Sequence, residues 1–344
     1  MILRPLRAVL ILILFSSCAK IGYLTEQGLG QMKILTSAKE NSEVLKDPNV
    51  SEDHKVKIRK IEKYKQFFYQ YWQREASEIY SETTLLERDA VTYLVIASKP
   101  TEVKAKQECF LFYGCFPYLG FFDENSAKDY VSKLEENGHE TYKRRVLAYS
   151  TLGTFDDPIL STFFQYSEYD LAETIFHELF HTIFFIDDEV DLNENLANYF
   201  GKQMLSLYFK DREKLKRHFE NEEKSAQIMQ EIVAQSKNLE SILKRESWQE
   251  DKKVFLERDF PKAIQKKCDE LKVNHCWPLK MKWNNATFAA FNTYEKSQDQ
   301  IKELGESFNG DLKKFFVFIE SRYKSYQKKK SEIGTSFEKY LLSR

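Results

Sequence analysis

The chain has 344 residues, of which 42% are hydrophobic and 15% aromatic, and this composition excludes an intrinsically disordered protein. Its 52 Lys and Arg residues balance 53 Asp and Glu residues, so no excess of positive charge favours binding to phosphates, and we expect no nucleic-acid partner. Low contents of Gly (11) and Pro (7), together with abundant Lys, Glu and Leu, favour a mainly helical fold.

Residues 1–17 have the pattern of a secretory signal peptide. Arg4 and Arg7 precede an apolar run at residues 8–15, which is too short to span a bilayer because a spanning helix takes roughly 20 residues. Cys18 follows L-F-S-S, which resembles a bacterial lipobox. The resemblance implies that Cys18 is acylated, so that an exported, periplasm-facing protein is attached to a membrane of the cell envelope through its lipid. An ordinary signal peptide, cut near Cys18 without acylation, is the alternative.

Secondary-structure patterns are clearest in the first half of the mature chain. Residues 51–76 begin with Ser-Glu-Asp and carry apolar and aromatic residues at helical spacing, which predicts a long amphipathic helix. Residues 91–97 and 145–150 have the β-branched or alternating character of strands, and we expect both strands in one small sheet.

The second half of the chain is predicted to be a helical array. After Tyr199 nearly every segment is charged and periodic, and Pro261 and residues 268–278 indicate breaks between helices. The predicted fold class is therefore mainly α with a small β-sheet, in the α+β class. No repeat or low-complexity linker divides the mature chain, so we predict one domain at 18–344, with a helical and small-sheet part at 18–160 and an active-site and helical-array part at 161–344.

Four cysteines beyond Cys18 form two closely spaced pairs. These pairs are Cys109 with Cys115 and Cys268 with Cys276. Closely spaced cysteines in an exported protein predict two local disulfides, whereas neither spacing fits a zinc ribbon. Unpaired, buried thiols are the alternative.

The segment H-E-L-F-H is an H-E-x-x-H pattern formed by His177, Glu178 and His181. Imidazoles four residues apart share one face of a helix, where both can bind one Zn2+ while the intervening Glu serves as the base. Asp170 and Glu173 give a D-x-x-E pattern for the start of a helix, and apolar neighbours indicate that this helix is buried. We therefore predict an active-site helix and one zinc ion per chain. A solvated helix face is the alternative.

A catalytic zinc site takes a third protein ligand and keeps one position open. Glu194 follows His181 by thirteen residues. A second helix that starts near Leu192 and returns antiparallel to the first would bring Glu194 over the metal. Asp188 is a reserve ligand, although the acidic segment at 187–189 also fits a polar loop.

The segment N-E-N-L-A-N resembles the third-ligand element N-E-x-x-x-D of the gluzincin zinc peptidases, a group that includes thermolysin. Asn193 and Glu194 match its first two positions, and Asn198 stands where the family has Asp. In the family that Asp accepts a hydrogen bond from a ligand histidine. The resemblance implies the same orienting role for the amide oxygen of Asn198. The spacing between the two helices is shorter here than in thermolysin.

Four further blocks resemble the bacterial predicted-aminopeptidase family of zinc-peptidase-like lipoproteins, and they fall in the family's order around H-E-x-x-H. They are G-Y-L-T-E-Q-G-L-G-Q at 22–31, Y-G-C-F-P-Y-L-G-F-F at 113–122, Y-S-T-L-G-T-F-D-D-P-I-L at 149–160 and W-N-N-A at 283–286. The resemblance implies a gluzincin-like metallopeptidase with a peptide substrate. The name of the family favours an aminopeptidase. A zinc endopeptidase and a non-catalytic zinc-containing envelope lipoprotein are the alternatives. A metal-free periplasmic binding module is a weaker alternative.

Other parts of a peptidase site have candidates by residue type and sequence order. Tyr294, His139 and Tyr149 are candidate donors to the oxyanion of the transition state. The strand that ends at Ser150 would offer its edge to an extended peptide. A free α-ammonium of a substrate needs a carboxylate partner, and two are available directly after this strand: Asp156 and Asp157. A turn that starts at Asp157, before a proline, is the alternative for that residue.

Overall fold

The computed structural model describes residues 21–110, 114–148, 156–292 and 298–343. These residues are mainly helical with small sheets, which confirms the predicted α+β class. The chain divides into two compact units. The first unit comprises residues 1–37, 87–147 and 220–293, and the second comprises residues 38–86, 148–219 and 294–344. The predicted signal peptide and Cys18 lie outside the described residues, and the single domain at 18–344 stays a prediction.

We number the elements in chain order. The helices are α1 at residues 21–36, α2 Asn41–Val44, α3 Glu52–Trp72, α4 Glu124–Glu136, α5 Glu168–Ile183, α6 Val190–Tyr208, α7 Arg212–Ile242, α8 Trp248–Val254, α9 Phe260–Glu270, α10 Asn285–Phe291, α11 Gln298–Glu306, α12 Leu312–Ile333 and α13 Phe337–Leu342. The strands are β1 Lys39–Glu40, β2 Glu82–Thr84, β3 Thr92–Ser98, β4 Glu108–Phe110, β5 Gly114–Phe116, β6 Leu119–Phe121, β7 Glu140–Val146 and β8 Ile159–Leu160.

The long helix α3 confirms the amphipathic helix that the sequence predicts. Ser51 caps its first turn by accepting a hydrogen bond from the backbone N–H of His54. The helix ends at Trp72 rather than at residue 76, because Gln73 takes a left-handed conformation with φ 53°. Its apolar face is buried in the second unit, where it packs against α5.

Two three-stranded sheets lie in different units. In the second unit β2 lies between β1, which is antiparallel to it, and β8, which is parallel. In the first unit β3 lies between β6 and β7, both antiparallel. The prediction that the two early strands share one small sheet is therefore confirmed.

The second of these strands starts earlier than the sequence pattern predicts. Residues 145–150 were the expected strand, whereas β7 spans Glu140–Val146 and pairs with β3 along its whole length. Residues 143–145 are all charged and do not fit the usual strand pattern. They are tolerated in β7 because it is an edge strand of its sheet. Lys143 lies 2.6 Å from Glu124, and Arg145 forms an ion pair with Asp89.

Both predicted disulfides are formed. The bond between Cys109 and Cys115 joins directly paired residues of the β4–β5 hairpin. The bond between Cys268 and Cys276 ties the end of α9 to the segment that follows it. Each closes a short loop, so each stabilises local structure within the first unit.

The predicted carboxy-terminal helical array is confirmed, but Pro261 does not break it. This proline lies in the first turn of α9, and the preceding residues Phe255–Asp259 form a π-helical turn that continues directly from α8. A wider turn accommodates a residue that lacks the backbone donor, so the helical path continues through Pro261. Among the described residues, no helix is long and apolar enough to cross a membrane.

Stacked aromatic rings hold the helices that carry the candidate site in the second unit. The rings of Phe180 on α5 and Phe200 on α6 are nearly parallel, with centroids 4.5 Å apart. Phe315 on α12 also stacks on Phe200, with centroids 5.5 Å apart. All three side chains are buried, so α5 and α6 rest on a rigid support.

Candidate metal centre

The active-site helix α5 begins earlier than the D-x-x-E pattern indicates. Ser167 is the N-cap, and its hydroxyl accepts from the backbone N–H of Asp170 and donates to the Asp170 carboxylate at 2.6 Å. Asp170 therefore belongs to the first turn, where its carboxylate holds the capping hydroxyl of Ser167 in place, rather than forming the cap itself. The predicted placement of H-E-L-F-H on a helix with a buried apolar face is confirmed.

A tight connection at residues 184–189 links α5 to α6. The side chain of Asn193 accepts a hydrogen bond from the backbone N–H of Ile186 at 3.0 Å and donates to its carbonyl at 2.7 Å. Asp188 adopts φ 64° in this turn and is exposed. Asn193 is buried and closes the turn, so the next residue, Glu194, has a fixed position in the first turns of α6.

Helices α5 and α6 are antiparallel, as predicted for delivery of the third ligand. His181, near the end of α5, lies beside Glu194 near the start of α6, whereas His177 lies beside both Glu194 and Asn198. One turn further along α6, Gly201 lies against the backbone of His177. A Cβ at position 201 would lie 3.3 Å from the backbone nitrogen of His177, so the absence of a side chain permits this close approach.

Three side chains converge on one point between the helices. Nε2 of His177 lies 3.2 Å from a carboxylate oxygen of Glu194, and Nε2 of His181 lies 3.4 Å from the other. The two Nε2 atoms are 3.2 Å apart. The two Nε2 atoms and the carboxylate of Glu194, which turns one oxygen to each imidazole, therefore lie at the corners of a small triangle.

This triangle has the size that zinc coordination requires. Tetrahedral bonds of about 2.0 to 2.1 Å place neighbouring ligand atoms about 3.3 to 3.4 Å apart. The donor set of two imidazoles and one carboxylate also suits zinc, and within the described parts of the chain the cluster comprises only these three residues, which leaves a fourth position for water or substrate. The side chains of His177 and His181 are 16% and 3% exposed, whereas that of Glu194 is 36% exposed, so solvent reaches the cluster beside the carboxylate. Asp188, the reserve ligand, does not belong to this cluster.

Asn198 orients one of the two imidazoles. Its amide oxygen lies 2.8 Å from Nδ1 of His177, and an amide oxygen only accepts, so Nδ1 carries the proton. The lone pair of Nε2 then points to the triangle, as a metal ligand requires. Nδ1 of His181 is buried and has no hydrogen-bond partner among the described residues.

In the metal-free protein, His177 and Glu194 shift one another's pKa values towards the charged forms. Burial alone would raise the pKa of Glu194, but hydrogen bonds from His177 and His181 lower this pKa far below its usual value. Burial alone would lower the pKa of His177, but the hydrogen bond with Glu194 and the negative charges of Glu178 and Glu194 raise it. Glu194 is therefore ionised and ready to bind a cation.

Glu178 is half-buried on α5, and its negative charge acts on the phenols of Tyr80 and Tyr166 in the second unit. Burial raises the pKa of Tyr80 and of Tyr166, and the charge of Glu178 raises both further. Both phenols therefore stay protonated and able to donate a hydrogen bond. Tyr80 also has an unusual backbone with φ 62°, which is held by a hydrogen bond from its N–H to the carbonyl of Asp157.

The two aspartates proposed for amine recognition differ in accessibility. Asp156 is exposed, whereas Asp157 is only 4% exposed and its charge acts on the buried Tyr80. Burial lowers the pKa of Lys65, and the negative charge of Asp156 is one of those that partly offset this shift. A substrate ammonium therefore has easier access to Asp156.

The proposed oxyanion donors remain predictions. Tyr149 and Tyr294 lie outside the described residues, as does Ser150 at the end of the predicted substrate strand. His139 lies in the first unit, in the turn between α4 and β7, where its backbone N–H donates to the carbonyl of Leu134. The structure adds Tyr166 as a further phenol, one residue before the N-cap of α5.

Comparison with known proteins places the chain in a family. A family profile described as "Putative aminopeptidase" matches residues 22–333. The chain belongs to this family. The matched range contains the whole triangle as well as Glu178 and Asn198, and the family supports a peptidase-like function. Neither a search of curated proteins nor a search of solved structures found a match.

Sequence reasoning missed several residues that shape this site. Gly201 had a usable signal, because it lies two helical turns after Glu194 and thus on the same face of α6. No sequence signal indicated that Asn193 closes the turn, because this role depends on the conformation of the turn itself. Tyr80 lies 98 residues before Glu178, and Tyr166 lies twelve residues before it and outside α5, so no helical spacing linked either phenol to Glu178.

Proposed function

We propose that this protein is a zinc-dependent peptidase in which His177, His181 and Glu194 hold one Zn2+. The observation that carries the proposal is the triangle formed by the two Nε2 atoms and the Glu194 carboxylate, with contacts of 3.2 to 3.4 Å along its sides. The membership of the putative aminopeptidase family supports peptide as the substrate. The proposed gluzincin assignment rests on the N-E element and on the antiparallel helices α5 and α6, which are joined by a short connection.

The residues divide the work of hydrolysis between them. Zinc, when bound, supplies an acidified water molecule and polarises the scissile carbonyl. Glu178 accepts the proton of the attacking water and transfers it to the nitrogen of the leaving amine. Asn198 holds His177 in the tautomer that leaves Nε2 unprotonated, and Tyr166 and Tyr80 are protonated phenols whose pKa values respond to the charge of Glu178.

Among peptidases, we favour an aminopeptidase, in which the exposed carboxylate of Asp156 pairs with the substrate's α-ammonium. An endopeptidase is the alternative, and it would need no such partner. A non-catalytic zinc-containing envelope lipoprotein is a second alternative. The retained Glu178 argues against it, because a purely structural zinc site has no use for a general base.

We also propose that the protein is exported and anchored by lipid on Cys18, with residues 1–17 removed as a signal peptide. The support is the pattern of two arginines, an apolar run and a cysteine after small residues. The protein would then face the periplasm while attached to a membrane. Changing Cys18→Ser should release it from membranes, and unchanged membrane fractionation of this variant would refute the lipid assignment.

The peptidase proposal is tested by hydrolysis of a mixed peptide library by the zinc-loaded protein and by Glu178→Gln. We expect the variant to retain zinc and to lose hydrolysis by at least ~100-fold, the usual contribution of a general base. The fold is preserved because Gln has the shape of Glu. Equal hydrolysis by both proteins would refute the role of Glu178, and retained zinc without hydrolysis in the wild type would favour the non-catalytic alternative.

A further inference from the structure

Helix α1 has one face packed on the first unit. The hydroxyl of Tyr23 donates to the carbonyl of Gly120 at 2.9 Å, and its ring contacts Phe121 with centroids 5.4 Å apart. Ile34 is 2% exposed. At Gly30 an added Cβ would collide with the ring of Phe122, so the helix approaches this ring as closely as a glycine permits.

The opposite face of α1 is apolar and exposed. It carries Ile21, Leu24, Leu29 and Met32, which are 59%, 41%, 62% and 60% exposed. At 100° per residue these four side chains fall within an arc of about 140°. We call this arc the outer face of α1.

No charged residue lies within the outer face. Its other positions are Thr25, Gly28, Leu35 and Thr36, whereas Glu26 and Lys33 fall outside the arc. A Cβ added at Gly28 would have no described atom from elsewhere in the chain within 4 Å, so this side of the helix is open. Single exposed apolar residues are ordinary, but a contiguous uncharged face indicates an interaction surface.

The position of the helix in the chain indicates what covers this face. Ile21 follows Cys18 by three residues, and three residues span at most about 10 Å. A lipid on Cys18 would therefore hold the start of α1 at the surface of the bilayer. An amphipathic helix at that surface buries its apolar face at the boundary between headgroups and acyl chains.

We propose that the outer face of α1 lies in the membrane interface and acts as a second attachment beside the lipid. The proposal rests on the lipid anchor that we propose for Cys18, but not on the peptidase chemistry. The bound partner is the apolar part of a phospholipid bilayer. Because the face has no charge, its binding does not depend on anionic headgroups.

The test uses the full mature protein, acylated at Cys18 and reconstituted in phosphatidylcholine vesicles. The other four cysteines are paired in disulfides, so one introduced cysteine is a unique site for an environment-sensitive fluorophore. The probe positions are Met32→Cys on the outer face, Lys33→Cys beside it on α1, and Val317→Cys on α12. Val317 is the matched control, because it is apolar and 61% exposed, like Met32.

Lipids that carry bromine on their acyl chains quench a fluorophore that enters the bilayer. We expect a blue-shifted emission at position 32 and quenching at least roughly threefold stronger there than at positions 33 and 317, because only the outer face enters the interface. Replacing part of the phosphatidylcholine by phosphatidylglycerol should leave the result unchanged. A probe at Leu24→Cys should lose its quenching when Leu29→Ser and Met32→Ser are added. These exposed substitutions leave the core intact.

Equal quenching at positions 32 and 317 would overturn the proposal. A blue shift at position 32 without lipid quenching would also overturn it, because protein, such as a second copy of the chain, would then cover the face. Co-sedimentation of the unlabelled protein with vesicles tests the anchor separately, and its failure would remove the basis of the proposal. Peptide hydrolysis in detergent tests the peptidase proposal alone.

Discussion

Asn198 and His177 meet across two helices, with the amide oxygen of Asn198 lying 2.8 Å from Nδ1 of His177. The acceptor of this contact is a neutral amide rather than a carboxylate. A neutral acceptor still fixes the tautomer of the imidazole, but it makes Nε2 a weaker electron donor than a carboxylate would.

The first prediction concerns this contact. Asn198→Ala should reduce zinc affinity by about 10- to 100-fold, because His177 loses the acceptor that orients its ring. Asn198→Asp supplies a carboxylate acceptor for Nδ1 and should bind zinc at least as tightly as the wild type. Competition with a fluorescent chelator measures both. Unchanged affinity in Asn198→Ala would show that packing alone orients His177.

The second prediction concerns the close approach of α6 to α5. In Gly201→Ala the new methyl group would lie 3.3 Å from the backbone nitrogen of His177, so the helices must separate by a few tenths of an ångström. We expect the free energy of unfolding to fall by about 1 to 3 kcal/mol. Zinc affinity should fall as well, since Glu194 moves with α6.

The control for this variant is Gly28→Ala on the open side of α1, where the added methyl group meets no described atom from elsewhere in the chain. It should raise stability slightly, because Ala favours a helix more than Gly does. Thermal unfolding and zinc titration of both variants give the comparison. A Gly201→Ala protein with wild-type stability and affinity would mean that the helix spacing is not limiting.

The third prediction concerns pH. The pKa of His177 is raised in the metal-free protein, despite its burial, by Glu194 and by the charge of Glu178. Protons compete with zinc for Nε2 below this pKa, so affinity should be constant above it and fall about tenfold per pH unit below it. Because the shift is upward, the fall should begin above the usual histidine value of about 6.5.

Glu178→Gln provides the internal comparison for this pH dependence. Removing the negative charge lowers the pKa of His177, so the loss of zinc should begin at a lower pH than in the wild type. Zinc titrations between about pH 5 and 8 cover this window. An onset at the same pH in both proteins would show that Glu178 does not act on His177.

The fourth prediction separates the two aspartates before β8. Asp156→Asn should slow cleavage of free-amine peptides about tenfold or more relative to N-acetylated peptides, because a charge-assisted hydrogen bond is worth roughly 1.5 to 3 kcal/mol. Asp157→Asn should mainly lower stability, since Asp157 is buried. Paired kcat/KM values measure the first effect. A wild type that cuts N-acetylated peptides as well as free ones would be an endopeptidase, and the role of Asp156 would fall.

Much of the fold followed from local patterns. The helix cap at Ser51 and the four paired cysteines depend on neighbouring residues, and these predictions were confirmed. The strand β7 was misplaced because its edge position allows charged residues that a strand pattern does not expect. Pro261 indicated a break that a π-helical turn accommodates.

In the candidate site, too, features set by local spacing could be predicted and features set by tertiary contacts could not. The sequence predicted which side chains could hold a metal, because helical spacing places His177 and His181 on one face. It could not predict that Asn193 closes the turn before Glu194 or that Gly201 sets the distance between helices, since both depend on contacts between elements. Tyr80 and Tyr166 approach Glu178 only through the tertiary fold.

The central claim is that the triangle of His177, His181 and Glu194 is a zinc site. The most direct measurement is the zinc content of the purified wild type and of His181→Ala after loading with zinc and removal of excess metal. We predict about one zinc per chain in the wild type and less than about a tenth of that in the variant, because the buried imidazole is a ligand. A wild type that retains no zinc, or a variant that retains as much as the wild type, would contradict the account.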